Sequence, residues 1–448
     1  MKNTKLSYFF LVLIHAFIAV TIFIMPFLSK VYALLIPIIG FFIVLTTKNN
    51  NNEVLLVCAY LVGAEVFLRM TGGNLNNEYV KFNLVFFMFL GMVYKGFSSN
   101  SFVYWVFLIF LIPCILVTST AEGYNFDIKK LLFFNLSGPV CLGICSIYAF
   151  SRRIQFSSVQ KILSVMGLPI LTTTVYLFLY NPSVRDVVTG TESNFETSGG
   201  FGPNQVSTIL GLGIFIFFTQ LVLFSKSIKE IVLNTFLLIF VSYRGIVTFS
   251  RGGVITGIVM IICLLFLVYQ FSNAKGKGKF VLVAVLTALM GIGIWTYSSI
   301  QTSGLIEKRY ANKDALGRDK KSKLSGREEI MDSEIKLFLD NPILGVGAGM
   351  GKEIRKESGT VIASHNEITR MLAEHGMFGV FCLMILFITP LIHFLNNRQH
   401  IYCLSFYLFW LLTINHAAMR IAAPAFVYAL SLLSVRIILP EKAEKSDA

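Results

Sequence analysis

Charged side chains are scarce in this sequence. Asp, Glu, Lys and Arg together make up 14% of its 448 residues, whereas hydrophobic residues make up 55%. Soluble globular domains typically carry about a quarter charged residues. Together with a mean hydropathy of +0.72, this composition excludes a water-soluble globule.

The sequence also lacks the residue spacings of a metal or disulfide framework. All seven cysteines lie inside apolar segments, and none of their spacings suggests a zinc site. No acidic cluster indicates a metal site, so we predict neither metal nor cofactor. The net charge of +14 is compatible with nucleic-acid binding. Its cations, however, lie mainly in short loops between apolar runs and in one long loop. Membrane topology explains this distribution better, and we expect no nucleic-acid partner.

Long apolar runs, by contrast, are abundant. A helix needs roughly 20 apolar residues to cross a bilayer, and the sequence predicts an all-α polytopic membrane protein with about 12–14 such helices. We place them near residues 6–26, 31–47, 53–70, 80–94, 101–119, 130–150, 161–180, 204–224, 230–249, 253–271, 280–298, 376–395, 400–416 and 420–438. The predicted organisation is an N-terminal transmembrane region (1–298), a long loop with short helices (299–375), a C-terminal transmembrane region (376–438) and a polar tail (439–448).

The distribution of Lys and Arg orients these helices. Cations concentrate in alternate loops, for example at Lys95 and at the pair Arg152 and Arg153, and such loops are usually cytoplasmic. Both termini are therefore predicted to be cytoplasmic. The predicted outer loops lie around 71–79, 120–129, 181–203, 250–252, 299–375 and 417–419. Lys129 and Lys130 oppose this trend.

The stretch 364–379 joins the long loop to the next apolar run. Ile368, Met371 and Leu372 recur at helical spacing, and charged residues such as Arg370 fill the remaining faces. The pattern predicts an amphipathic helix where water meets the bilayer. Such a helix serves either as an interfacial anchor or as a mount for catalytic side chains, and the stretch alone leaves both open.

Earlier parts of the long loop carry turn and helix signals. Ser325 followed by Glu328 resembles a helix-capping box, and Pro342 ends the predicted helix. The charged part from 307 to 327 is expected to be mobile. Four glycines between 345 and 351 follow, which we interpret as a flexible turn near the membrane because the context does not fit a nucleotide-binding fingerprint.

Several polar groups stand on the predicted outer side. Arg251 lies in a tight hairpin, where it is either a snorkelling anchor or a clamp for an anion such as a phosphate. Arg69 and Lys81 flank another outer hairpin, although Glu65, four residues before Arg69, offers it an ordinary helical ion pair. Asn204 follows glycines and a proline at the start of a predicted helix. It either belongs to an ordinary loop-to-helix boundary or faces a ligand.

Two histidines lie in the long loop. His365 opens the amphipathic stretch, whereas His375 stands directly before the glycine at which the chain should enter the lipid. An imidazole titrates near neutrality and therefore suits proton transfer from a sugar hydroxyl. We predict that His365 takes part in chemistry and that His375 does not.

Four short motifs, in this order, resemble those of O-antigen ligases and the related Wzy-type polysaccharide polymerases. They are Pro203-Asn204, Ser250-Arg251-Gly252-Gly253, Gly326-Arg327 followed by Asp340-Asn-Pro-Ile-Leu-Gly345, and His365-Asn366 followed by Gly376-Met-Phe-Gly379. One departure is the missing tryptophan that often follows Gly-Arg in the family's loop helix.

The resemblance implies a metal-independent membrane glycosyltransferase of the GT-C type. It would act at the periplasmic face of a bacterial inner membrane on a glycan carried by undecaprenyl diphosphate. The acceptor would be lipid A core for a ligase, or another lipid-linked glycan for a polymerase. Arg251 and Arg327 would stabilise the leaving diphosphate, and His365 would bind the acceptor hydroxyl and take its proton. The predicted substrate-binding residues are Arg69, Lys81, Asn204, Asn366 and Arg370.

Two alternatives accompany this interpretation. A polysaccharide transporter or flippase would also be polytopic and basic, but it should carry charges deep in several spans, and Arg244 is the clearest such charge here. This favours the enzyme. Ligase and polymerase share the motifs, and we favour the ligase, O-antigen transfer to lipid A core, over the O-antigen or capsular polysaccharide polymerase.

Overall fold

The structure, a computed structural model, describes residues 7–120, 127–320, 327–357 and 364–437. Its helices are α1 (Tyr8–Ile24), α2 (Leu28–Thr47), α3 (Glu53–Met70), α4 (Tyr79–Lys95), α5 (Phe102–Phe110), α6 (Ile112–Ser119), α7 (Ile128–Ala149), α8 (Phe156–Tyr180), α9 (Val184–Val187), α10 (Pro203–Thr219), α11 (Ile228–Ile246), α12 (Arg251–Phe271), α13 (Ala274–Gln301), α14 (Leu305–Tyr310), α15 (Arg327–Asp340), α16 (Met350–Glu357), α17 (Glu367–Asn396), α18 (Cys403–Thr413) and α19 (Ala423–Leu430). Two short strands, β1 (Arg153–Gln155) and β2 (Ser434–Arg436), pair in parallel.

Eight helical segments in the described part of the chain are long and apolar enough to cross a membrane, with α5 and α6 counted together as one segment. Helices α1 and α18 are shorter apolar helices. Every apolar run predicted to span the membrane contains a helix. The prediction of an all-α polytopic membrane protein is therefore confirmed. One run, 101–119, is divided at Leu111, because Pro113 in the first turn of α6 cannot donate a backbone hydrogen bond.

The last predicted span, 420–438, differs from the expectation. It contains only α19, all of whose residues are buried, followed by turns and β2. A short helix with irregular ends is tolerated at membrane depth when protein surrounds it, because other parts of the chain satisfy its backbone. This region is therefore a buried segment of the bundle. The predicted tail, 439–448, lies outside the described residues.

The loops form two groups at opposite ends of the bundle. Lys95 donates a hydrogen bond to Asn50 at 2.6 Å, and Arg152 donates one to the Gly96 carbonyl at 2.7 Å, so loops predicted to be cytoplasmic touch one another. The predicted outer loops make a separate set of contacts, which form the candidate site. The contacts thus follow the alternation predicted from the lysines and arginines.

Helices α10 and α12 pack with their backbones in contact. A Cβ added at Gly211 would lie 2.0 Å from the Gly253 carbonyl oxygen, and one at Gly253 would lie 1.9 Å from the Ser207 oxygen. Small residues permit such close approach between membrane helices. Gly253 therefore fixes the first turn of α12, and with it the position of Arg251.

The glycine-rich turn packs against a break in α17. Gly376 has φ 57° and ψ −135°, and this non-helical residue divides a first helical part from the apolar part of α17. Val346 donates a backbone hydrogen bond to Ala373 at 2.9 Å, and Met377 donates one to Pro342 at 2.8 Å. Backbone groups freed by the break are thus satisfied by the turn. The interpretation of this turn as flexible is wrong; it packs tightly against the break.

Candidate active site

The segment 364–366 carries His365 directly before α17. The Asn366 side-chain oxygen accepts a hydrogen bond from the Ile368 amide at 2.9 Å, which caps the helix. On the other side of His365, the Ser364 carbonyl accepts a bond from Arg420 at 3.1 Å. The two neighbours of His365 therefore fix its backbone. Substrate binding by Asn366 stays a prediction, since its oxygen is used for capping.

The carboxylate of Glu334, in α15, binds residues of the same segment. It is 1% exposed and accepts hydrogen bonds from Thr369 at 2.6 Å and from Ser364 at 3.2 Å. It also pairs with Arg355 of α16 at 3.2 Å. Burial raises the pKa of the Glu334 carboxyl, while the Thr369 hydroxyl and the Arg355 guanidinium act in the opposite direction. One carboxylate thus joins α15, α16 and the beginning of α17.

Two carboxylates in the first turns of α17 are buried. Glu367 and Glu374 are 1% and 4% exposed. Arg370 pairs with Glu367 and donates a hydrogen bond to Asn135 of α7 at 2.6 Å. Buried charges need such partners because desolvation is costly. The charged face of the predicted amphipathic helix is therefore packed within the protein, whereas its position at the membrane surface and substrate binding by Arg370 stay predictions.

A cavity of about 690 Å³ lies beside this segment. Its wall includes Ser364, Arg370 and Arg420, together with the amide side chains of Asn76 and Asn77. Aromatic rings from α4 and α7 line another part of the wall: Phe82, Phe133 and Phe134. This volume is in the range of small-molecule binding sites, about 300–1,000 Å³. The cavity therefore offers polar, charged and aromatic groups next to His365.

Arg69 has protein partners on several sides. It pairs with Glu65 at 2.7 Å, which confirms the helical ion pair considered from the sequence. It also donates to the backbone carbonyls of Asn77 at 2.5 Å and Arg420 at 3.0 Å. These contacts show Arg69 anchoring the loop that carries Arg420. Direct substrate binding by Arg69 stays a prediction.

Lys81 is likewise engaged. Its side chain is 2% exposed, and its ammonium pairs with Glu78 at 2.7 Å and donates to Ser137 of α7 at 3.1 Å. Glu78 in turn lines the cavity. Lys81 thus joins α4 to α7 behind the cavity wall, and its assignment to substrate binding remains untested.

Arg251 lies at the first position of α12, beside a second arginine. Its guanidinium donates to the Arg309 carbonyl at 3.3 Å. Arg309, in α14, donates to the Phe249 carbonyl at 2.9 Å and pairs with Glu192 at 3.6 Å. Lys320 also pairs with Glu192, and this hydrogen bond lowers the pKa of the Glu192 carboxyl. The described part of the segment expected to be mobile, 307–320, is thus tied to the end of α12 that carries Arg251.

Asn204 and His416 lie on another side of the same helix end. The Asn204 side-chain oxygen accepts a hydrogen bond from the Ser250 hydroxyl at 2.8 Å. The His416 Nε2 lies 3.1 Å from the Thr208 hydroxyl oxygen. A Cβ on Gly252 would lie 2.5 Å from the His416 ring. Asn204 therefore orients the residue before Arg251, and ligand binding by Asn204 stays a prediction.

The segment 414–420 connects these two groups of residues. At one end, His416 packs against the turn that carries Arg251. At the other end, Arg420 binds the carbonyl next to His365 and also lies over the Phe134 ring, 6.0 Å from its centroid. The Ile414 carbonyl accepts a hydrogen bond from the Glu367 amide at 2.8 Å. Arg251 and His365 thus flank one short loop.

One predicted catalytic residue is placed only by its backbone. Arg327 is the first residue of α15, but its side chain lies outside the described residues, as do Ser325 and Gly326. In residues 7–120, 127–320, 327–357 and 364–437, no group of three or more His, Cys, Asp or Glu side chains could hold a metal ion.

Sequence reasoning missed Arg309, Glu334 and Arg420. Arg420 left a usable signal, because an arginine on the outer side opposes the positive-inside rule. Arg309 stands among other charged loop residues, and Glu334 has ordinary helical spacing. Only their partners in the structure distinguish them from surface charges.

Residues 235–384 match the sequence profile of the family described as O-antigen ligase. This part of the chain belongs to the O-antigen ligase superfamily. The O-antigen ligase region contains Arg251, Arg327, His365, Asn366 and Arg370, whereas the other three predicted site residues come from earlier helices.

The chain is also similar to an uncharacterized protein of Haemophilus influenzae, with 25% identity over 164 residues. That match covers 33% of this chain and 39% of the Haemophilus protein. The chain therefore matches about two fifths of the length of this curated relative, whose name assigns no activity to the region shared with it.

Proposed function

We propose that this protein is an O-antigen ligase. It would transfer a glycan from undecaprenyl diphosphate to a sugar hydroxyl of lipid A core at the periplasmic face of the inner membrane. One observation supports the proposal above the others: Gly252 and Ser364, the chain neighbours of Arg251 and His365, contact the same segment, 414–420. A transfer reaction needs an anion-binding group and a proton acceptor in one site, and the shared segment supports such an assignment for these two residues.

The proposed reaction is a displacement at the anomeric carbon of the donor glycan. The acceptor hydroxyl oxygen forms the new glycosidic bond, and its proton passes to His365. The bond from the anomeric carbon to the diphosphate oxygen breaks, and that oxygen keeps the electron pair. Arg251 stabilises the negative charge that develops there, because a guanidinium offers a rigid pair of donors to phosphate oxygens. Arg327, at the beginning of α15, is assigned to the same charge.

His365 is tested in a purified assay with the undecaprenyl-diphosphate-linked glycan, lipid A core and a chelator. A general base typically contributes about 10²–10⁴-fold to the rate, so the His365→Ala variant should lose turnover by about this factor. His365→Gln should lose it too, because glutamine does not titrate. Full turnover in both variants would remove His365 from the mechanism.

His375 supplies the comparison. It is 3% exposed and packed inside the bundle, so His375→Ala should lower the unfolding temperature but keep turnover per folded molecule. An equal loss of turnover in the His365 and His375 variants would indicate a packing defect instead of lost chemistry.

The acceptor distinguishes the proposed ligase from the alternative polymerase. In a strain deleted for the gene, the proposal expects lipopolysaccharide without any O-chain and accumulated lipid-linked polymer. Core carrying a single repeat would identify a polymerase and overturn the ligase assignment. Normal lipopolysaccharide in that strain would contradict both assignments.

A further inference from the structure

We propose that the cavity beside His365 binds an acceptor glycan that carries phosphate groups, and that Lys130 and Lys352 recognise those groups. The inference rests on the proposed function, because only a transferase has an acceptor. It adds a chemical class of acceptor and two specificity-determining residues to that function.

Five carboxylates line the cavity, and three of them pair with a neighbouring cation. Glu78 pairs with Lys81 at 2.7 Å, and Glu353 pairs with Lys356 at 2.6 Å. Asp127 caps α7, where its side chain accepts a hydrogen bond from the Lys130 amide at 3.1 Å. Glu367 pairs with Arg370, and Glu374 is buried. Among the described residues, none of the five carboxylates forms an ion pair with Lys130 or Lys352.

Two lysine ammonium groups of the cavity wall lack an ion-pair partner among the described residues. Lys130 and Lys352 line the cavity, and among the described residues neither forms an ion pair. They lie close in the fold, because a Cβ on Gly349 would be 2.6 Å from the Leu131 side chain. Lys130 also stands on the side of the bundle where the positive-inside rule disfavours lysine. Two unpaired ammonium groups on one wall favour a ligand with negative charge, and phosphate is a usual partner of lysine.

The position of the cavity favours the acceptor over the donor. Ser364 and Arg420, which flank the His365 end, are part of its wall. Arg251, assigned to the donor diphosphate, lies at the other end of the 414–420 segment, towards His416. The cavity thus reaches the residue before His365, whereas Arg251 lies away from it, so the cavity and Arg251 can hold two different substrates.

The edge of the cavity suits an amphipathic molecule. The rings of Phe82 and Phe133 pack edge to face, 6.0 Å apart, and they are 44% and 57% exposed. Both belong to helices of the bundle, α4 and α7. An acceptor with a lipid part keeps that part against these rings in the membrane while its charged glycan enters the cavity.

The test measures equilibrium binding, which does not depend on turnover. The probe is the phosphorylated core oligosaccharide released from lipopolysaccharide, titrated onto the purified full-length protein in phosphatidylcholine nanodiscs. Replacing both Lys130 and Lys352 by glutamine should weaken its binding about tenfold, since two partly exposed charge contacts are lost. The control replaces Lys129 and Lys336, two exposed lysines that do not line the cavity, and should bind like the wild type.

Further binding measurements distinguish a phosphorylated acceptor from the donor diphosphate and from a lipid headgroup. The wild type should bind the chemically dephosphorylated oligosaccharide about as weakly as the Lys130/Lys352 variant binds the phosphorylated one. Affinity for the undecaprenyl-diphosphate-linked donor should not change in the variant. Equal affinities of variant and control, or a change confined to the donor, would overturn the proposal. So would a lysine effect that requires phosphatidylglycerol in the nanodiscs, because the lysines would then hold a lipid headgroup. Failure of the proposed function has another signature: the oligosaccharide binds as described, but no glycan is transferred.

Discussion

Removing the Glu334 carboxylate should release the segment that carries His365. Glu334→Ala would leave Arg355, 5% exposed, without its counter-ion. Breaking a buried ion pair by removing one partner typically costs about 3–5 kcal/mol. The hydroxyls of Ser364 and Thr369 would lose an acceptor as well. Because these contacts lie between local segments, we expect most of the cost to appear as easier local opening of residues 364–369.

Hydrogen exchange measures this opening directly. A loss of about 3 kcal/mol or more corresponds to exchange at residues 364–369 that is at least about 10²-fold faster. Glu334→Gln keeps the shape and an acceptor but loses the charge, so its effect should be intermediate. Glu329→Ala is the matched control, because Glu329 is an exposed carboxylate in the same helix. Exchange at wild-type rates in Glu334→Ala would refute the role assigned to this carboxylate.

Three further predictions concern other parts of the site. Arg251→Lys keeps the charge but loses the guanidinium fork, so donor turnover should fall at least about tenfold while the protein still inserts; normal turnover would make Arg251 a simple anchor. The lowered pKa of Glu192 means that its contacts stabilise the 305–320 segment above its ordinary pKa of 4.5 and are lost as the pH falls through the folded value. Proteolysis of that segment should therefore increase in acid, and in Glu192→Gln this pH dependence should disappear; an unchanged acid response there would exclude Glu192. Gly376→Ala should lower the unfolding temperature, since its Cβ would lie 2.6 Å from backbone atoms of the glycine-rich turn at positive φ. Gly291→Ala, at a position with open space, should be neutral, and equal stability of both variants would contradict the close packing.

The membrane fold was readable from the sequence because its cause is local. A run of apolar residues forms a helix wherever lipid leaves the backbone no other hydrogen-bond partner. The distribution of Lys and Arg also predicted which loops lie together at each end of the bundle, because cations resist transfer across the membrane. The position of His365 before a helix also followed from a short-range pattern.

The roles of residues whose partners lie far along the chain could not be predicted from the sequence. The charged side of the helix after His365 resembles a solvated face, and only its packing against Asn135 of α7 shows that it is buried. Arg420 lies 56 residues after Ser364, whose carbonyl it binds. No local pattern reports such a pairing.

The sequence by itself determined that this chain forms membrane helices and which superfamily its 235–384 region resembles. Tertiary structure alone decided that Arg251 and His365 flank the 414–420 segment, that Glu334 holds the histidine segment, and that α19 is buried within the bundle. The physical reason is the range of the interactions. Hydropathy and helix formation act between near neighbours in the chain, whereas a buried charge is satisfied by whichever distant group the packing brings beside it.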